Sequence, residues 1–79
     1  MWKQSAQYHH KAAEHLEYAA RHHKEAAKRY EAGNFQKAAH HAHLAHGHLL
    51  QATYHAGEAA KAHLVGYGKS RVEPMKRSA

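Results

Sequence analysis

Histidine dominates the chemistry that this chain can perform. Twelve of its 79 residues are histidine, and six of these lie in the segment 38–57, which contains no Asp, Glu, Lys or Arg. Imidazole changes its charge near neutral pH and is the most common protein ligand for zinc, copper and nickel. The composition therefore indicates that the chain binds metal ions or protons, and it indicates this segment as the place.

The spacing of the histidines predicts a site between two helices. His41, His48 and His55 are seven residues apart, and His15 and His22 repeat the same interval earlier in the chain. Seven residues make almost two helical turns, so each set forms a stripe on one side of a helix. In a hairpin bent near its middle, His22 becomes level with His48, and His15 with His55. Two imidazoles at each level, completed by a second chain, predict a tetrahedral site for Zn, Ni or Cu.

A second group of histidines lies on the same segment but does not form a stripe. His40, His43 and His46 step by three residues and drift around the helix, which suits a site at the surface or between subunits. The candidate metal ligands are therefore His15, His22, His40, His41, His43, His46, His48 and His55. In the alternative interpretation these side chains are polar spacers that hydrogen-bond to one another or to water at the edges of a helical bundle.

The sequence lacks the patterns of several catalytic sites. No two histidines are four residues apart, so the strong helical chelate is absent, and no Glu is followed three residues later by His, as ferritin-like di-iron bundles require. The serines lie near the chain ends, with no Asp to support a hydrolytic triad. Segment 66–70 lacks the strand that precedes a phosphate-binding loop. We expect no enzymatic activity and no organic cofactor.

Alanine pairs define the elements that position the histidines. They recur every seven residues at 12–13, 19–20 and 26–27, and the pattern resumes at 38–39. Between the two runs stand Gly33 and Asn34, which are residue types that end helices. We predict an all-α fold of two long antiparallel helices, a helical hairpin with helices at about 5–32 and 35–65, in which Ser5 caps the first helix.

The charged residues divide the chain into two parts. Acidic and basic residues alternate on the outer side of the first helix, where Glu25 and Arg29 have the favourable i,i+4 order. We therefore assign residues 1–68 to a hairpin domain and residues 69–79 to a loose basic tail. The formal net charge of +6 suggests nucleic acid as a partner, although only the tail, with four basic residues and one acidic residue, is strongly basic.

Cysteine, a secretory segment and a membrane span are all absent from the sequence, and the last two bear on location. There is no cysteine, so neither a disulfide nor a thiolate metal site can form. The N-terminus has no apolar secretory segment, and no window approaches the roughly 20 apolar residues of a membrane span. We expect a cytoplasmic protein without a membrane span.

A hairpin of this composition is expected to form a homodimer. Alanine buries few methylene groups, each worth about 0.8 kcal/mol, so a seam of alanines contributes little. The second helix also carries large apolar side chains around much of its circumference, namely Leu44, Leu49, Leu50, Tyr54, Leu64 and Val65. We expect two hairpins to form a four-helix bundle, with the second helix of each chain inward and the charged first helix outward.

Two resemblances support the hairpin. The stretch 30–38 is similar to the turn between the helices of a tetratricopeptide repeat, which implies that Phe35 tucks under the bend and Ala38 lets the helices approach. The paired alanines and the histidine-rich run at 38–48 resemble a group of small, histidine-rich helical-hairpin proteins of bacteria with no assigned activity. That second resemblance covers most of the chain and implies a fold but no mechanism.

Three functions remain open from the sequence. The first is a non-catalytic, histidine-rich bundle that binds Zn, Ni or Cu through interhelical histidines as a buffer, carrier or sensor. The second is an oligomeric protein-interaction scaffold that responds to pH and has no role in metal binding. The third and weakest is association with nucleic acid through the basic tail.

Overall fold

Two long helices make up the part of the chain that the structure, a computed structural model, describes, residues 2–68. Helix α1 spans Trp2–Glu31 and helix α2 spans Phe35–Gly68. They pack against each other as an antiparallel pair, and no strand occurs within residues 2–68. The predicted all-α hairpin is confirmed. The predicted basic tail, residues 69–79, lies outside the described residues.

The outer ends of the hairpin extend further than the sequence pattern predicted. Helix α1 begins at Trp2, so Ser5 lies inside the helix and the prediction that it is the N-cap is wrong. Helix α2 continues past residue 65 because glycine, at a cost of about 1 kcal/mol, weakens a helix without forbidding it. Neither helix has a stretch long and apolar enough to cross a bilayer, within the residues that the structure describes.

The turn between the helices is a Schellman motif followed directly by a helix cap. Gly33 has φ of +81°, the left-handed conformation that glycine adopts without a Cβ penalty. The Asn34 amide donates to the Arg29 carbonyl (2.8 Å), and the Gly33 amide donates to the Tyr30 carbonyl (3.0 Å). The Asn34 side chain then accepts a hydrogen bond from the Lys37 amide (3.2 Å), so Asn34 caps α2. This turn makes the two helices antiparallel.

Phe35 does not support the turn in the way that the tetratricopeptide resemblance implied. Its side chain is 66% exposed, and its nearest ring neighbour is Tyr30, with ring centroids 6.1 Å apart. Phe35 is the first residue of α2 and therefore lies outside the seam rather than beneath it. The turn is held by its backbone hydrogen bonds, and the expectation for this side chain was wrong.

The core between the helices consists of one alanine from each seven-residue repeat. Only one residue of each pair is buried, since its neighbour is rotated by 100° around the helix. Within residues 2–68 the core residues are Ala12, Ala19, Ala26, Ala38, Ala45, Ala52 and Ala59. No larger side chain there is fully buried. The small side chains let the helices approach closely and leave the residues beside the alanines in contact across the seam.

Ion pairs contribute at the helix surfaces. Arg29 donates to Glu25 through both Nε and Nη2, at 3.0 and 2.9 Å, which confirms the predicted i,i+4 pairing. Lys61 pairs with Glu58 at 3.1 Å and is largely exposed. Exposed pairs of this kind are worth about 0–1 kcal/mol each, so they do not hold the hairpin together.

Candidate functional site: a histidine ladder between the helices

Five of the eight candidate histidines come together along one side of the alanine seam. Each of them follows a buried core alanine by three residues, and all five are partly buried. We call this set the histidine ladder: His15, His22, His41, His48 and His55. Helix α1 contributes two of the rings and helix α2 contributes three. The heptad interval that places one alanine per repeat in the seam also places an imidazole beside it in five of the seven repeats.

Two pairs of rings in the ladder hydrogen-bond directly across the helices. The Nδ1 atoms of His15 and His48 are 3.0 Å apart, and those of His22 and His41 are 3.1 Å apart. In each pair one nitrogen must carry the hydrogen and donate it, while the other accepts with its lone pair. Each pair therefore requires at least one neutral ring.

Ring stacking connects the two pairs into a continuous zigzag. His15 stacks on His55 with centroids 5.6 Å apart, and His22 stacks on His48 at 5.8 Å, with interplanar angles of 8° and 5°. The predicted level pairs are thus found as stacks, while the hydrogen bonds join rings one step along. The order across the seam is His41, His22, His48, His15 and His55, so each ring from α1 lies between two rings from α2.

Two electrostatic features distinguish individual rings. Partial burial, together with the charges that His41 and His48 acquire when protonated, lowers the pKa of His22 below its ordinary value of 6.5. At the other end of the ladder, the Nδ1 atom of His55 is buried and has no hydrogen-bond partner. An unpartnered buried nitrogen costs free energy, and it marks a ring nitrogen that is free to take a further ligand.

Tyr18 covers the middle of the ladder, a role that the sequence analysis missed. Its ring stacks on His48 with centroids 5.0 Å apart and lies 6.5 Å from His15. The Arg21 guanidinium lies over the same ring, 4.7 Å from its centroid. The sequence feature that could have revealed this contact is the spacing of three residues between His15 and Tyr18. This spacing puts both side chains on neighbouring turns of one helix face.

The second histidine group is not assembled into a site. All three histidines of this group, His40, His43 and His46, are exposed. The His40 ring makes an edge contact with the His41 ring, with ring centroids 5.6 Å apart. Within residues 2–68 no group of three or more His, Asp or Glu side chains is arranged to hold a metal ion. The structure therefore brings the ladder residues together as pairs, whereas His40, His43 and His46 lie exposed on α2.

Comparisons with known proteins add no relative to this picture. No protein-family model, curated protein or solved structure matches the chain. The chemistry of the ladder is therefore argued from its own atoms. It has five partly buried imidazoles, two close pairs of Nδ1 atoms and, in His55, one buried Nδ1 without a hydrogen-bond partner.

Proposed function

We propose that the hairpin is a non-catalytic binder of first-row transition-metal ions, acting as a buffer, carrier or sensor. The observation that carries the proposal is the close approach of Nδ1 atoms in two interhelical pairs, His15 with His48 at 3.0 Å and His22 with His41 at 3.1 Å. Two neutral imidazoles whose ring nitrogens face each other can share a metal ion in place of the hydrogen between them.

The pair distances are close to those of a chelate. Imidazole nitrogen lies about 2.0–2.1 Å from Zn²⁺, so two such nitrogens at a tetrahedral angle are about 3.3 Å apart. The His15–His48 pair, at 3.0 Å, needs to open by only about 0.3 Å to reach that separation. The side chains alone can supply this movement, because the helices are held apart by alanines and not by the rings.

The ladder offers each ion two strong ligands and leaves other positions open. The rings are partly exposed, so water can complete the coordination, and the unpartnered Nδ1 of His55 lies in the ring stacked on His15. Structural zinc sites close all four positions with protein ligands, whereas open sites exchange their ions. Open coordination fits a protein that buffers or transfers metal better than one that needs it to fold.

The ligand chemistry favours zinc, copper or nickel among the divalent ions. Imidazole suits these metals, whereas carboxylate and carbonyl oxygen suit magnesium and calcium. Two acidic side chains that follow a ladder histidine by three residues are already engaged, since Glu25 pairs with Arg29 and Glu58 pairs with Lys61. The chain has no cysteine, so it has no thiolate ligand for an iron–sulfur cluster or another thiolate-bound metal.

Metal titration of the full chain, purified without a nickel column, tests the proposal. The unfolding temperature should rise when Zn, Ni or Cu is added at stoichiometric concentration, because ligands that bind only the folded state stabilise it. The double variant His15→Gln/His22→Gln, which removes both α1 rings of the ladder, should lose most of this rise.

The matched control is His10→Gln/His43→Gln, which removes one exposed histidine from each helix and leaves the ladder intact. It should keep the metal-dependent rise. An equal rise in the ladder variant and the wild type would show that the added metal binds elsewhere on the histidine-rich surface, and the proposal would be rejected.

A pH-responsive assembly is the second candidate function, and the same nitrogen pairs favour it. Neither the His15–His48 nor the His22–His41 hydrogen bond survives when both of its rings are protonated, since two donors then face each other with like charge. Acid would then loosen the helix pair without any metal. A pH-dependent unfolding temperature that is unaltered by Zn, Ni and Cu would favour this function over metal binding.

A further inference from the structure

The ladder occupies one broad side of the hairpin, and a second broad side is left without any charge. In each helix, the residue three after a core alanine and the residue four after it lie on opposite sides of that alanine. The rings of the ladder meet on one side of the seam, as the His15–His48 and His22–His41 contacts show. The residues four after and one after each core alanine must therefore share the other side.

This second side, which we call the uncharged face, combines small and apolar residues with histidine. Fourteen of its residues flank a core alanine in this way, and Ala6 and His9 continue the same two positions one repeat earlier. The face comprises Ala6, His9, Ala13, Leu16, Ala20, His23, Ala27, Tyr30, Ala39, Ala42, His46, Leu49, Thr53, Ala56, Ala60 and His63. None of them is Lys, Arg, Asp or Glu. The ladder side, by contrast, carries Lys11, Glu25, Arg29, Lys37 and Glu58. The charges of the described hairpin are thus confined to the ladder side and the outer edges.

Large apolar side chains on the uncharged face are left in contact with solvent. Leu16 from α1 is 49% exposed and Leu49 from α2 is 41% exposed, at corresponding positions four residues after a core alanine. Tyr30 is 49% exposed near the turn. The Thr53 hydroxyl donates to the Leu49 carbonyl at 3.0 Å, so it needs no polar partner from outside the chain. The face therefore combines exposed apolar side chains with a threonine whose hydroxyl is satisfied within the chain.

The size of the face matches one half of a stable protein interface. A helix of 30 residues is about 45 Å long, and two helices 8–10 Å apart present a strip on the order of 800 Å². Stable complexes bury about 800 Å² on each partner, and the centres of their interfaces are depleted in charged residues. An exposed uncharged patch of this size on a folded chain indicates a protein partner.

The repeat pattern of the face favours a second copy of the same chain. Rows of small side chains lie on this face as they do in the seam: Ala13, Ala20 and Ala27 repeat on α1 at intervals of seven. The hairpin already shows that such rows bring two of its helices together. A twofold interface requires a surface that complements itself, and here rows of alanine can receive the larger Leu16, Tyr30 and Leu49 side chains of a second copy.

We propose that the uncharged face binds the uncharged face of a second copy, giving a four-helix bundle whose two histidine ladders face outward. Both helices of each chain contribute to this interface, which differs from the arrangement with α2 inward that the sequence suggested. The alternative surface is the outer edge of α2, where Leu50 is 56% exposed. The proposal does not depend on metal binding, since the ladder takes no part in the contact.

Sedimentation equilibrium of the full chain, in chelator and at pH 8, tests the proposal. The wild type should sediment at twice the 8.9 kDa of the monomer. Leu16→Glu/Leu49→Glu should sediment as a monomer, because dimerisation would bury four carboxylates without partners. Leu50→Glu, on the outer edge of α2, should remain dimeric. A monomeric wild type at 100 μM, or dissociation by Leu50→Glu alone, would overturn the proposal.

A second measurement covers the case in which the double glutamate variant fails to fold. The chain has no native cysteine, so single cysteines report local exposure. Alkylation of Ala20→Cys, on the uncharged face, should slow at least tenfold as the protein concentration is raised from 1 to 200 μM. Alkylation of Lys24→Cys, on the charged side of α1, should keep a constant rate. Equal concentration dependence at the two positions would reject this interface.

Discussion

His15 and His48 are separated by 33 positions in the chain, yet their Nδ1 atoms lie 3.0 Å apart across the helix pair. The same His15 ring stacks on His55, so a single imidazole of α1 joins two successive turns of α2. In most antiparallel helix pairs such positions hold leucine, which contributes by burial alone. Here the contacts beside the seam are polar and titratable. We therefore predict that the association of the helices responds to the protonation of the rings.

The first prediction concerns pH and follows from the lowered pKa of His22. In the unfolded chain this ring takes up a proton near pH 6.5, whereas in the folded chain it does so only at lower pH. Below pH 6.5 the unfolded state therefore binds more protons, and stability falls as the pH falls. Above that value the ring is neutral in both states and has no effect.

The measurement is the thermal unfolding midpoint between pH 8 and pH 5, in chelator. The wild type should lose stability on the acid side of pH 6.5, and His22→Gln should lose less over the same range. His10→Gln, which removes an exposed histidine from the same helix, should follow the wild type. Identical pH profiles for all three proteins would contradict the assignment of acid sensitivity to His22.

A second prediction tests the alanine seam with one alanine pair. Ala38 is fully buried and Ala39 is exposed, although they are adjacent in the sequence. Ala38→Leu forces three additional heavy atoms between closely packed helices and should destabilise the hairpin by about 1–3 kcal/mol. Ala39→Leu should change the free energy of unfolding by less than about 0.5 kcal/mol. Urea unfolding at low protein concentration compares the two, and equal losses would mean that the seam is misplaced.

A third prediction is that two glycines limit the stability of α2. A Cβ atom added at Gly47 or Gly57 meets nothing within 4 Å, and both residues lie in the interior of a helix. Replacing either by alanine should raise the free energy of unfolding by about 1 kcal/mol through reduced backbone entropy in the unfolded chain. Gly33→Ala serves as the opposite control, since its φ of +81° makes any side chain unfavourable.

Urea denaturation of the single variants checks this prediction. Gly47→Ala and Gly57→Ala should shift the transition to higher urea and Gly33→Ala should shift it to lower urea, with similar slopes. A loss of stability at Gly47 would imply that the outer side of α2 is already covered by another chain. That result would also argue against the uncharged face as the dimer interface.

Local patterns were sufficient to predict the helices and the turn. Paired alanines at a heptad interval indicate a helix because its period of 3.6 returns them to one side, and Gly33 with Asn34 ends one helix and starts the next through backbone geometry that few other residues adopt. The start of α1 was placed too late because Ser5 is a good N-cap type, although nothing in its local sequence prevents the helix from beginning earlier.

The sequence by itself determined the stripes of alanine and histidine, since the position of a residue around its own helix depends only on its number. The tertiary structure decided which ring meets which, because the axial offset between two helices is set by the turn and by how closely the alanines let the backbones approach. That offset lets His15 stack on His55, the ring predicted to be level with it, and also hydrogen-bond to His48 one step along. The packing of the two helices also decides which side of the hairpin remains exposed. That property depends on both helices together and cannot be read from the stripe of either helix alone.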